Sequence, residues 1–241
     1  MTRFNAFAIH LGISFIIFLF LAYLVVFEWY PGIFFDTDGG WRGMRIIIGV
    51  DIVLGPLLTL VAFKPGKPGL KFDMTCIGLL QTVCLIAGTY VVWSERPLAV
   101  VYVDSRFEVV TTDDYGEAVP DLSIFPGDYP KAIMVDVPQD LDAQAELREG
   151  YFRDRRSLAT ATDLYKPFDP TDPLFTQDAR DITAIEQRDG GPAAIAEWLA
   201  EHGGAIEDYR FYTYSTRYVF RYIGYHKETG RQIGFLSIKP L

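Results

Sequence analysis

Three apolar runs, Phe7 to Phe27, Ile46 to Phe63 and Met74 to Trp93, fill the first 93 residues of a 241-residue chain. Each is ~20 residues long, enough to cross a hydrocarbon core of ~30 Å as a helix. Helix is the form such a run takes in lipid, where open backbone N–H and C=O groups find no other partner. The expected organisation is a three-helix membrane domain over residues 1–93, with spans of about 7–27, 46–63 and 74–93, and a polar domain over 94–241.

Basic residues set the expected orientation. The short connection from Lys64 to Lys71 carries three lysines and no acid, whereas Glu28 to Arg45 sets Glu28, Asp36 and Asp38 against Arg42 and Arg45. Lys and Arg in short loops stay on the cytoplasmic side, so the amino terminus is expected inside and the C-terminal domain outside. A cleaved leader is the competing reading of the first run. Its length, the single Arg3 ahead of it and the Glu28-Trp29-Tyr30-Pro31 that closes it argue against cleavage. Trp29, Tyr30, Pro31, Gly39 and Gly40 read as an interfacial loop, with the aromatic belt of a membrane surface.

Charge separates the two parts. Residues after Trp93 hold 16 Lys and Arg against 26 Asp and Glu. Such an acidic domain is no natural partner for nucleic acid or an anionic lipid surface. Both cysteines, Cys76 and Cys84, fall in the third run, ~12 Å apart along a helix, too far to bond to each other. The outer domain has none, so its own core must hold it.

Asp51 is the residue of greatest interest in the membrane part. It lies in Gly49-Val-Asp51-Ile-Val-Leu-Gly55-Pro56, where an ionisable group costs ~3 kcal/mol unless paired or wetted. Counted from the start of the apolar run it sits about five residues in, level with Tyr23 on the first span and Thr89 or Tyr90 on the third. That places His10 near the opposite face. Asp51 then either bonds Tyr23 or Thr89 and ties the helices together, or receives a group from another protein's helix. Pro56 removes a backbone donor and is expected to kink the second span. Gln81 and Thr82 read as interhelical hydrogen bonders. Asp36 and Asp38 begin like a calcium loop, but Ile47 occupies the place of the chelating glutamate, so a solvated turn is the better reading.

The outer part reads as a small α+β domain around an antiparallel sheet. Strands are expected over 98–103, 107–111, 132–137, 210–216, 218–226 and 232–238, with helices over 140–149 and 192–202. Asp104-Ser-Arg and Lys227-Glu-Thr-Gly230 are hairpin turns, and 165–180 is a proline- and aspartate-rich loop. No HExxH, GxSxG or phosphate-binding glycine loop is present. His202 reads as a helix-end cation or a packed side chain rather than a ligand, and Arg153-Asp-Arg155-Arg156 as a solvated face. No catalytic constellation, metal site or cofactor site assembles, so an enzyme is not expected.

Phe7-Ala-Ile-His10-Leu-Gly-Ile-Ser14, Trp29-Tyr30-Pro31, Asp38-Gly39-Gly40, Val50-Asp51-Ile-Val-Leu-Gly55-Pro56-Leu57-Leu58, Lys71-Phe-Asp73, Leu80-Gln81 and Arg96-Pro97 occur in this order. Together they resemble the type IV pilin accessory proteins of the TfpX/TfpZ group, over about residues 4 to 110 and again at the Ile223 to Gly230 hairpin. The resemblance implies a multi-pass protein of a Gram-negative inner membrane with a periplasmic C-terminal domain. It implies a chaperone-like role in fimbrial biogenesis and twitching motility, with the major type IV pilin as partner and other inner-membrane assembly components beside it. Two other classes compete. A ligand sensor would need an inward output domain, which a short amino terminus and a lysine loop do not supply. A membrane enzyme using Asp36, Asp38 or Asp51 would resemble glycosyltransferases that have many more spans.

Overall fold

The computed structural model describes residues 2–177, 179, 182–236 and 238. Two compact units divide the chain, Met1–Arg96 and Pro97–Leu241.

The first unit is built on three helices long and apolar enough to cross a membrane, α1 (Arg3–Trp29), α2 (Gly40–Ala62) and α3 (Leu70–Ser94). Each starts several residues before its apolar run, because polar residues at the entry still complete the hydrogen-bonded ladder. At α1 the hydroxyl of Thr2 caps the entry by accepting the Asn5 N–H at 3.2 Å. Two stretches leave α geometry for the wider π turn, Leu24–Trp29 at the end of α1 and Ile48–Leu54 inside α2. The expected irregularity of the second span is therefore a π segment directly ahead of Gly55-Pro56, a known cause of helix bending.

α2 is the central element and packs on both neighbours. Gly43, Met44, Ile47, Asp51, Gly55, Pro56 and Thr59 along it are buried, whereas Val92 is the buried residue of α3. The outward faces carry Ile16, Phe20, Val61, Phe72, Leu79 and Ile86, each more than half exposed. In water such surface would be untenable; in lipid it is the expected solvent-facing side.

The second unit carries one seven-stranded sheet: β1 (Pro97–Val103), β2 (Arg106–Thr111), β3 (Lys131–Val135), β4 (Tyr165–Pro167), β5 (Tyr209–Ser215), β6 (Phe220–His226) and β7 (Gln232–Leu236). Their order is β4-β3-β1-β2-β5-β6-β7. The expected antiparallel sheet is mixed. β1 runs parallel to β3 and β2 parallel to β5, while the other four pairings are antiparallel. After Thr111 the chain must step past β1 to reach β3, and after β4 it must cross past β3, β1 and β2 to start β5, neither of which a tight turn can do. Strand β1 is nearly all buried, so its continuous Leu98-Ala-Val-Val-Tyr-Val103 run is that of an interior strand.

One face of the sheet collects Val101, Val103, Val110, Ile133 and Val135, with Tyr151 of α4 (Leu141–Arg153) packed against them. Further along, α5 (Gly191–His202) lays Ile195 and Trp198 on Tyr209, Phe211 and Tyr222. α4 runs through Gly150, where it was expected to stop, because Tyr151 gains the core and Arg153 pairs with Glu149 at 2.7 Å. The opposite face is an aromatic layer. Tyr102, Phe107, Tyr212 and Tyr225 are met by Phe168 and Phe175, with Phe175 stacked on Tyr212 at 4.2 Å. Those last two phenylalanines come from the segment read as loop, which also supplies β4 and a turn of helix, Pro173–Gln177. Asp178 and Arg180 of that segment, and Ser237 of the last expected strand, lie outside the described residues.

Candidate functional site

Each membrane helix contributes a polar side chain near its midpoint, and these side chains converge. Ser14 of α1 donates its hydroxyl to Asp51 Oδ1 of α2 at 3.2 Å. The Gln81 amide of α3 donates to the same carboxylate oxygen and to Ser14 Oγ at 3.1 Å. With its nitrogen turned to the carboxylate, Gln81 presents Oε1 to His10 Nε2 at 2.7 Å. An amide oxygen only accepts, so His10 Nε2 is the donor there. In the neutral ring His10 Nδ1 then accepts from Thr59 Oγ1, 2.6 Å away. The result is a directed chain of hydrogen bonds, Thr59 to His10 to Gln81 to Asp51, that crosses all three helices.

Burial and charge decide what this arrangement can do. Asp51 is 1% exposed, and its Oδ2 has no hydrogen-bond partner. The carboxylate is thus enclosed rather than offered to lipid. Interhelical hydrogen bonds in membranes are worth ~0.6 kcal/mol each and at most ~2. Two to one oxygen recover ~1 kcal/mol at the typical value, well under half of the ~3 kcal/mol cost of an acid at this depth, and match it only near the upper value. Asp51 acts here as an interior tie between helices.

Its partners differ from those expected. Tyr23 is 53% exposed and reaches Glu28 at 3.4 Å, and Thr89 is half-buried and does not bond Asp51. The depth was misjudged because α2 begins at Gly40, not at Ile46, which moves Asp51 to mid-helix. His10, which that depth placed on the far side, joins the network through Gln81. The legible signal was there: His10 and Ser14 stand four apart, hence on one face of α1. Gly55 and Pro56 belong to the same site. A Cβ on Gly55 would collide with the Gln81 amide, and Pro56 supplies no N–H to the turn behind it.

The interfacial residues form a second packed group. Tyr30 is buried and donates its hydroxyl to the Val92 carbonyl at 2.8 Å, fastening the end of α1 to the end of α3. Gly39 takes φ of 102°, which a side chain would resist, and Gly40 leaves no room for a Cβ against Phe35. Gly43 is likewise pressed against Val92, where a Cβ would meet Cγ2 at 2.5 Å. Trp29 is half-buried beside the Tyr30 cluster, and Pro31 is half-buried after it.

In the second unit the charged run after Arg153 resolves into local contacts. Arg156 lies over the Tyr151 ring at 5.4 Å and donates to Thr160 at 3.3 Å. His202 packs edge-on against Trp198 at 4.7 Å, at the end of α5.

Fold and site together define a protein with three helices long and apolar enough to cross a membrane, cross-linked by buried polar side chains and followed by a mixed-sheet domain. Comparison with known proteins places it more narrowly. The chain is 32% identical over 126 residues to "Fimbrial assembly protein, serogroup E1" and to the serogroup I protein of the same name, both of Dichelobacter nodosus. It covers 49% of each, so it spans about half the length of these curated relatives. It is also 32% identical over 109 residues to the D. nodosus "Fimbrial assembly protein, serogroups C1 and C2", and there it covers 82% of that protein. The chain belongs to this family of fimbrial assembly proteins. No family model matches it, and no solved structure is similar to it.

Proposed function

We propose that this chain is an inner-membrane accessory protein of type IV pilus biogenesis, of the TfpX/TfpZ kind, that acts on the major pilin. Its kinship with proteins named for fimbrial assembly is the observation that carries the reading. In this reading the amino terminus and the lysine loop are cytoplasmic and the acidic domain periplasmic, as the distribution of Lys and Arg favours. The protein performs no catalytic step. It serves as a chaperone-like holder: the membrane helices meet the pilin's apolar helix, and the periplasmic domain selects its head.

The network explains how one acid contributes without touching the partner. Asp51, Ser14 and Gln81 set the packing of three helices whose outward faces a partner helix would meet. Asp51→Asn keeps an oxygen for Ser14 and Gln81 and removes the charge, whereas Asp51→Ala removes the tie. Pilus number and twitching motility, measured at equal protein level, test the proposal. Asp51→Ala is expected to lose both and Asp51→Asn to keep much of them. Normal piliation in Asp51→Ala cells would remove Asp51 from the mechanism.

A further inference from the structure

We infer that Gln81 is a side-chain substitute for a missing backbone donor, and so the residue that positions Asp51. The argument starts from the π register of α2. The Gly55 N–H bonds the Val50 carbonyl, five residues back. In that register the next carbonyl, that of Asp51, would receive the N–H of residue 56, and residue 56 is proline. The Asp51 carbonyl is therefore left without its backbone donor at mid-helix, where lipid supplies no water.

Gln81 Nε2 carries two N–H groups: one goes to the Asp51 carboxylate, and the other is shared between Ser14 Oγ at 3.1 Å and this carbonyl at 3.4 Å. One amide thus serves both the main chain and the side chain of the same residue. Two further features are needed for this, and both are present. Gly55 carries no Cβ, so the amide can reach the helix backbone. His10 holds Oε1 at 2.7 Å, so the nitrogen end is the one that faces Asp51. Proline, glycine, aspartate and glutamine form one unit, in which the proline creates the vacancy that the glutamine fills.

A residue that merely glued α3 to α2 would contribute equally whatever stood at position 56. A donor substitute is needed only while position 56 lacks an N–H. Gln81→Leu, Pro56→Ala and the double variant of the full chain are compared in detergent micelles by thermal unfolding. Gln81→Leu is expected to lower Tm, and to lower it less than half as far in the Pro56→Ala background. Equal drops in both backgrounds overturn the inference. Carbon-13 labelling of the aspartate main-chain carbonyls gives a readout independent of Pro56→Ala folding. In the Pro56 protein, Gln81→Leu is expected to move one labelled amide I band to higher frequency, as a carbonyl loses its donor. An unmoved band overturns the inference. Neither measurement assays a pilus, so failure here is distinct from failure of the fimbrial reading.

Discussion

Gly55 and Gln81 approach so closely that a β-carbon on residue 55 would fall inside the Gln81 carboxamide. The contact ties the middle of α2 to the middle of α3 and leaves the Gln81 nitrogen no path except past a bare glycine. Gly55→Ala is expected to cost about 1–3 kcal/mol, the usual range for overpacking. The measurement is Tm of the full chain in micelles. Gly49→Ala, inside α2 with nothing within 4 Å, serves as the contrast and is expected to hold Tm or raise it by a few degrees.

A second close approach holds the other unit together. Gly224 on β6 faces Gly234 on β7, and the pair leaves a bare patch under α5. A Cβ on Gly224 would come within 2.7 Å of the Trp198 ring and 3.1 Å of Phe211. Gly224→Ala is expected to lose about 1–3 kcal/mol in urea unfolding. Gly150→Ala, inside α4 with nothing within 4 Å, should instead gain about 0.5–1 kcal/mol. A neutral Gly224→Ala would mean that α5 does not sit on these strands.

Alkaline stability follows from buried phenols, Tyr115, Tyr165 and Tyr225, each pushed up by burial. Burial pushes the Tyr115 hydroxyl up to about 12, outweighing its hydrogen bond to Tyr165 at 2.9 Å, and Asp114 adds to the rise. Burial pushes Tyr165 up as well. A folded value above the unfolded one means that the contribution is complete below pH ~10 and is lost as pH climbs toward 12, at ~1.4 kcal/mol per unit and per phenol. Unfolding midpoints measured from pH 9 to 12 are expected to fall along this limb. Tyr115→Phe should make the limb shallower, and an unchanged limb would contradict the assignment.

The three long apolar helices and every strand but β4 were legible, since apolar length and β-branched runs report directly on lipid crossing and on interior strands. Depth was not. The polar turn Trp41-Arg42 belongs to α2, so counting from Ile46 put Asp51 beside Tyr23 and Thr89 rather than beside Ser14 and Gln81. Local pattern also could not reveal that β1 pairs with β3 in parallel, because that pairing depends on where the long excursion between Thr111 and Lys131 returns. The segment holding Phe168 and Phe175 looked like loop because its prolines and aspartates dominate. Its two rings nonetheless complete the aromatic layer, with Tyr212 donating to the Phe175 carbonyl at 2.8 Å. The order of signature residues was visible; their convergence on one buried carboxylate needed three helices in space.

Photo-crosslinking in native membranes asks directly whether pilin lies against these helices. A diazirine amino acid at Leu79 or Ile86, both well exposed on α3, reports what lies against that face. The account predicts the major pilin as the main protein adduct, its yield falling in Asp51→Ala cells. Adducts from which pilin is absent, in cells that make it abundantly, would contradict the account.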